Sequence, residues 1–513
     1  MGLEDSYIAV LKRLPGVVEP IKRQTFKEKL KWTGVVLLIY YVMTQVTVYG
    51  ISKTNYEYFK YLEILLGSTF GSLVTLGIGP IVTASIILQL LVGSKIIPWN
   101  LSEEKGRTLF QGTQKLLSVL LCLIEGYVYV AFGAIAAAEG MLPVVVFQLA
   151  LGGWIVLFMD EVVSKWGFGS GVSLFIVAGV AKTMILRAFN PLTSDGTIST
   201  GIQNPPVGAI PNAGILLGSG EPFAAFLVML PIIATIIVFL LVVYVQAIRV
   251  EIPLAFSTVR GFGRRWPLKF LYSSNIPVIL IAALLANVQV FAKMLAQRGG
   301  SEWLGVFDAS GNPIGGLVFF LSHPRTTAIA GIMISIGLFA LIGALFVYFT
   351  KRSGGLKIVL ISGVAGGLVW YFGISAMGLT SLAIITPIDI ARLFTYAAFM
   401  IGGSVMFSIF WVNTAGMDSK TVASQIESTG MQIPGFRRDI RIIEKVLDRY
   451  IPALAVLGGA AVGFLAAFAD FTDALGTGTG ILLAVMIVHQ LYEQIAMQHM
   501  EDMHPALRRF FGK

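Results

Sequence analysis

Runs of about twenty apolar residues recur along the whole chain, parted by short charged or Gly- and Pro-rich stretches. Twenty residues of helix cross roughly 30 Å of hydrocarbon, so each run predicts a membrane-spanning helix. Twelve such spans are read: 33–50, 75–93, 114–136, 142–161, 170–187, 223–247, 274–292, 327–349, 356–377, 391–413, 451–469 and 478–497. The short alternating segments of a membrane β-barrel are absent. The pattern predicts an all-α polytopic membrane protein.

The second span carries its helix breakers at its entrance. Residues 75–93 read TLGIGPIVTASIILQLLVG, with Gly77, Gly79 and Pro80 ahead of the uninterrupted part. Glycine adds backbone entropy to a helix, and proline removes a donor and clashes with the preceding turn. Just before it, residues 55–72 (NYEYFKYLEILLGSTFGS) have too few apolar residues to cross a bilayer, and Glu57, Lys60 and Glu63 interrupt them. Such a stretch is expected to be re-entrant or interfacial. Irregular backbone at membrane depth persists only where protein or a water-filled cavity satisfies it. A short half-helix, a break and a cavity are therefore expected here.

The polar stretches set the orientation. With the N-terminus in the cytoplasm, about 29 of the 37 Lys and Arg residues fall on the cytoplasmic side, a strong positive-inside bias. Residues 5–18 place Ile8, Leu11 and Leu14 at helical spacing beside Lys12 and Arg13, which predicts an interfacial amphipathic helix. The first span follows a basic segment, TFKEKLKW, and no small-residue cleavage site comes after it, unlike a signal peptide. Two cytoplasmic loops, 248–273 and 414–450, are long and basic. Either their charge only fixes topology, or Arg437 and Arg438, presented after a Pro-Gly turn, help to dock a large anionic partner. Outward segments 188–222 and 293–326 are rich in Gly, Pro, Ser and Asn and read as surface loops.

Composition agrees. The chain is 56% hydrophobic and 13% charged, where soluble domains are nearer a quarter charged. Its single cysteine, Cys122, excludes an intramolecular disulfide. No nucleotide-binding P-loop, zinc-protease, nucleophile-elbow or C-x-x-C pattern occurs, so neither a catalytic centre nor a cofactor or metal is expected. His499 and His504 flank Glu501 and Asp502, but in a tail that reads as a hydrated helix. Charges inside spans are scarce; Glu125 is the clearest, with a structural pairing and a gating role both open. Asp160 and Glu161 lie at a span end and read as interfacial.

Seven stretches carry a resemblance: TFKEKLKWTG (25–34), TLGIGPIVTASIILQLLVG (75–93), FQGTQKLLS (110–118), SNIPVIL (274–280), TAGMDSKTVA (414–423), IPGFRR (433–438) and HPALRRF (504–510). In this order they resemble the large subunit of the SecY-type translocon, closer to its archaeal and eukaryotic branch than to the bacterial one. The resemblance implies a ten-helix clamshell of two five-helix halves around an hourglass pore that conducts unfolded polypeptide. It implies a pore ring of Ile78, Val82, Val172, Ile176, Ile279 and Leu483. It implies a plug near 58–68, with Tyr58, Leu62, Ile64, Leu65, Leu66 and Ser68, and a polar lateral-gate cluster of Thr83, Glu125 and Asn287. Docking residues would be Arg264, Arg265, Lys269, Arg437 and Arg438, where a ribosome or motor binds. The implied partners are small SecE/gamma-type and beta-type membrane subunits, the signal-recognition targeting machinery, secretory and membrane polypeptides, and the surrounding lipid bilayer. The implied location is the plasma membrane, with both termini cytoplasmic.

On this reading the chain divides into an N-terminal segment 1–32, a first half 33–187, an external loop 188–222, a second half 223–498 and a tail 499–513. Twelve spans exceed the family's ten. The surplus pair, 327–377, is expected to form a peripheral hairpin, packed through Gly363 and Gly367. Two other readings compete. A secondary transporter with discontinuous helices would share the broken span. An intramembrane hydrolase would need paired carboxylates or a Ser/His arrangement within the spans, and none is evident.

Overall fold

Each of the twelve apolar runs forms a helix: α2 (Phe26–Gln45), α3 (Gly79–Gly93), α4 (Glu104–Ala131), α5 (Leu142–Trp166), α6 (Gly171–Phe189), α8 (Pro222–Ala247), α9 (Ile276–Gln297), α11 (Thr327–Thr350), α12 (Gly355–Ala376), α13 (Pro387–Thr414), α15 (Ile440–Phe471) and α16 (Gly478–Met503). Shorter helices are α1 (Leu3–Leu11), α7 (Ala209–Gly218), α10 (Gly316–Phe320) and α14 (Ser419–Ser428). The computed structural model describes residues 3–11, 13–22, 24–51, 69–99, 101, 103–131, 135–193, 197–199, 201–256, 263–273, 275–297, 302–308, 312–324, 326–350, 355–376, 384–428, 431–432 and 440–503. Among these residues ten helices are long and apolar enough to cross a membrane. The two remaining long helices are α2, which opens with charged turns, and α3, whose 15 residues reach only about 22 Å.

Local chemistry sets the helix ends. Thr25 and Glu28 form a reciprocal capping box, so α2 starts before the apolar run at residue 33. It stops at Gln45, where the β-branched Val46, Thr47 and Val48 leave the helix and Thr47 bridges to Ser72. Thr386 and Asp389 cap α13 in the same way. The N-terminal helix covers only Leu3–Leu11, shorter than the helix expected over 5–18, because Pro15 and Gly16 follow. Beyond it the extended chain is strapped to the end of α5. Val17 donates its N–H to Glu161 (2.9 Å), Lys165 donates to the Val17 carbonyl (2.6 Å), and Glu161 also pairs with Lys115.

The break before α3 is now explicit. Gly71 and Gly77 take left-handed backbone angles, φ +83° and +52°, that a side chain disfavours. Pro80 falls in the first turn of α3, where its missing N–H costs nothing. The irregular backbone satisfies itself. Ser72 donates its hydroxyl to the Thr69 carbonyl (2.7 Å) and accepts the Val74 N–H (3.1 Å), while Leu73 N–H reaches the Val46 carbonyl (3.0 Å). Gly152 of α5 makes room: a Cβ there would lie 1.8 Å from the Leu73 carbonyl oxygen. Protein encloses the break, as irregular backbone in a membrane requires.

Helices α2–α6 form one half, and α8, α9, α13, α15 and α16 the other. The halves meet where α6 and α2 touch α16, and where α3 touches α9 and α13. Helices α11 and α12 stand outside both halves. Helix α11 touches α8 and α15, whereas α12 packs on α11 alone to any comparable extent among the described residues. Three glycines of α12 face that contact, with Gly363 and Gly367 over Ile336 and Gly366 over the Ser335 carbonyl. Close backbone approach of this kind stabilises helix pairs where lipid removes the hydrophobic drive.

The loops hold order that apolar patterning did not suggest. Strands β1 (Arg249–Phe256) and β2 (Gly263–Lys269) pair antiparallel, with Arg249 opposite Lys269. A small hairpin, β3 (Val306–Phe307) and β4 (Pro313–Gly315), lies in another loop. Strand β5 (Met431–Gln432) pairs with the far end of β1, giving the order β2-β1-β5. The two long basic loops thus share one three-stranded sheet.

Candidate functional site

The six candidate ring residues sit at or near helix starts. Ile78 is the N-cap of α3 and Val82 lies one turn on; Val172 and Ile176 are four apart on α6; Ile279 lies in the first turn of α9; Leu483 follows the start of α16. All belong to the main hydrophobic core, which draws on both halves: five are among its buried residues, and Val172 packs half-buried against that core.

Two carboxylates fix two of those helix starts. Asp160 of α5 accepts the Val172 N–H (2.9 Å) and the Ser170 hydroxyl (3.1 Å), capping α6 from the preceding helix. Asp470 of α15 accepts the Thr479 N–H (2.8 Å), the Thr479 hydroxyl and the Tyr396 hydroxyl (2.6 Å), capping α16. Negative charge at a helix N-terminus meets its unpaired N–H groups and the positive end of its dipole. Asp160 is therefore a cap, a sharper role than the interfacial one expected of it. Sequence reasoning missed both caps, because Asp470 stands nine residues before Thr479 and Asp160 twelve before Val172, beyond the local capping pattern.

The polar cluster is assembled as well. Asn287 of α9 donates its side-chain amide to the Thr83 hydroxyl of α3 (3.0 Å). Glu125 of α4 lies beside the same threonine, so polar side chains of three helices gather at one place. All three side chains are half-buried.

The remaining candidates divide. Arg264 and Arg265 lie on β2, in register with Leu254 and Pro253 of β1. Lys269, at the end of β2, pairs with Glu493 of α16 at 2.5 Å. The plug candidates Tyr58, Leu62, Ile64, Leu65, Leu66 and Ser68, and the docking candidates Arg437 and Arg438, fall outside the described residues. At the end of the molecule away from the sheet, a crevice of about 820 Å³ opens between the halves, lined by Tyr40, Lys182, Arg187, His323, Asp473 and Thr477 among others. Arg187 of the first half spans it to donate to the Gly476 carbonyl of the second (3.2 Å).

A family model described as SecY matches residues 72–492. The chain belongs to the SecY family. The protein translocase subunit SecY of Pyrococcus horikoshii is 41% identical over all of both chains. Among solved structures, a protein-conducting channel superposes with a TM-score of 0.75 at 39% identity, covering 97% of this chain and 98% of that one. The Sec61 chain of a canine ribosome–channel complex from the endoplasmic reticulum gives 0.73 at 39% identity, with the same coverage. The clamshell of this chain is that of the SecY channels.

Proposed function

We propose that this chain is the pore-forming subunit of a protein translocase, passing unfolded polypeptide across the membrane and releasing apolar segments sideways into it. One observation carries the reading: in a chain that matches SecY proteins from end to end, the six aliphatics implied as the ring share a single cluster joining the two halves. Branched aliphatics make a constriction that dewets, opposing hydrated ions while offering a passing chain no directional bond. On this reading Ile78, Val82, Val172, Ile176, Ile279 and Leu483 are the ring, and residues near 58–68 plug the outer funnel. Thr83, Glu125 and Asn287 form the lateral seam, and the loop 188–222 joins the halves opposite it.

The basic sheet and the tip at Arg437 and Arg438 would face the cytoplasm, where both termini also lie, and would dock a ribosome; the likeness to a chain from a ribosome–channel complex supports this. Small SecE/gamma-type and beta-type membrane subunits would complete the complex, in the plasma membrane. The chain carries no covalent chemistry in this scheme, so the driving force comes from its partners. A secondary transporter would need a polar substrate site at mid-depth, and an aliphatic lining is the wrong surface for one.

The test replaces Ile78, Val82, Ile176 and Ile279 by Ser and records currents from the purified complex in a planar bilayer. A pore ring demands a persistent ion leak from the variant and silence from the parent. A variant that stays sealed but still binds and exports substrate removes the ring from the mechanism.

A further inference from the structure

Glu493 of α16 gathers two cations and a histidine. Its carboxylate meets Lys269 Nζ at 2.5 Å, His489 Nε2 at 3.5 Å from one turn earlier on the same helix, and Arg249 Nη2 at 3.8 Å. Lys269 and Arg249 are register partners at the foot of the β1–β2 hairpin. One carboxylate thus pins that foot to α16. The four side chains keep between 26% and 50% of their surface open, so the cluster faces solvent. Leu483 lies ten residues back along the same helix, about 15 Å away. At its other end β1 pairs with β5 of the second basic loop, so a push on either loop reaches the foot.

Half-exposed ion pairs are weak and exchange readily. Arg264 and Arg265 stand four to five residues from Lys269 along β2, so the cations recur over roughly 15 Å of strand. That spacing suits a repeating polyanion better than a lone carboxylate, and phosphate oxygens compete well for Arg and Lys. We propose that Glu493 is a latch: RNA phosphates arriving on the hairpin draw Lys269 and Arg249 away from it. The foot of the hairpin then parts from α16, the helix that carries Leu483, and docking is communicated to the pore. Glu493 acts here as a positioning residue. The inference rests on the reading of the sheet as a docking surface for an anionic partner.

The experiment uses the full chain in its membrane complex, spin-labelled at Glu251 and Tyr492, two exposed positions outside the cluster. A short RNA hairpin is the probe, and poly-glutamate of equal charge is the control. In the parent, RNA should lengthen the label distance and poly-glutamate should not. Glu493→Gln should show the long distance without RNA and bind RNA severalfold more tightly. Its plot of log affinity against log salt should steepen by about two, one for each freed cation. Glu493→Asp, which keeps the charge, should behave as the parent. If Arg264→Gln with Arg265→Gln leaves RNA affinity unchanged, the docking reading fails and the latch with it. If those changes weaken binding while Glu493→Gln alters neither distance nor affinity, the latch alone is overturned. An equal response to poly-glutamate overturns RNA as the partner.

Discussion

The amide of Asn287 and the hydroxyl of Thr83 stand 3.0 Å apart across the seam between α9 and α3. Glu125 of α4 lies beside the same threonine, so three polar side chains from three helices gather there. Hydrogen bonds between membrane helices contribute about 0.6 kcal/mol on average and seldom above about 1.7, because the separated helices find other partners. On the proposed reading of this contact as the lateral gate, a seam of that strength holds and still opens. Asn287→Ala should therefore favour the open seam by about threefold. The measurement is export of a reporter whose signal segment has been weakened: it should rise by about that factor, and unchanged export would detach Asn287 from gating.

Asp160 caps the helix that carries two of the proposed ring residues. Its carboxylate holds the first N–H groups of α6 at Val172, with Ile176 one turn beyond. Caps of this type contribute about 0.5–2 kcal/mol, so Asp160→Ala should lower the melting temperature of the complex measurably. Asp160→Asn, which retains an acceptor oxygen, should lose less. If the cap also sets where Val172 stands, Asp160→Ala should add brief channel openings in a bilayer, whereas a substitution that merely destabilises the fold should leave the seal silent until unfolding.

Much of this architecture was legible in the apolar pattern, because lipid forces every crossing segment to satisfy its own backbone. Twelve runs marked twelve helices, and Gly77 with Pro80 marked the break before α3. What stayed hidden was contact between segments distant in sequence. Lys269 looked like an unengaged docking cation, but its partner Glu493 lies 224 residues away. The pairing of β1 with β5 joins residues more than 170 positions apart, through two-residue stretches with no periodicity of their own. Asp470 falls between the spans read at 451–469 and 478–497, and nothing local announces that it caps α16.

Gly152 offers a strict test of the break. A Cβ at that position would lie 1.8 Å from the Leu73 carbonyl oxygen, a backbone atom held by its neighbours on both sides. Overpacking of a filled interior costs about 1–3 kcal/mol or more. Gly152→Ala should accordingly displace residues 72–78, lower the melting temperature and unseal the pore. Gly402, with nothing within 4 Å of its added Cβ, is the matched control. Gly402→Ala should be neutral or stabilising by up to about 1 kcal/mol, from helix propensity alone. Equal tolerance of both changes would mean that the irregular segment does not rest on α5.

The hairpin of α11 and α12 should be dispensable for folding of the channel. The chain entering it and the chain leaving it are already bound together. Arg392 donates to the carbonyls of Phe319 (3.1 Å) and His323 (3.3 Å) and to the Ser322 hydroxyl (3.0 Å), and Thr395 donates to the Phe320 carbonyl (2.8 Å). A short linker replacing residues 326–384 therefore has little distance to span. Removal of α11 uncovers Ile237 of α8 and Phe468 of α15, which Gly337 lies against. In a bilayer that surface passes to lipid tails, so the loss is one of packing contacts and carries no hydrophobic penalty. The deleted chain should purify as a folded complex, melt within a few degrees of the parent and keep its seal to ions. Aggregation on extraction, or an open pore in the bilayer, would place α11 within the structural core of the second half.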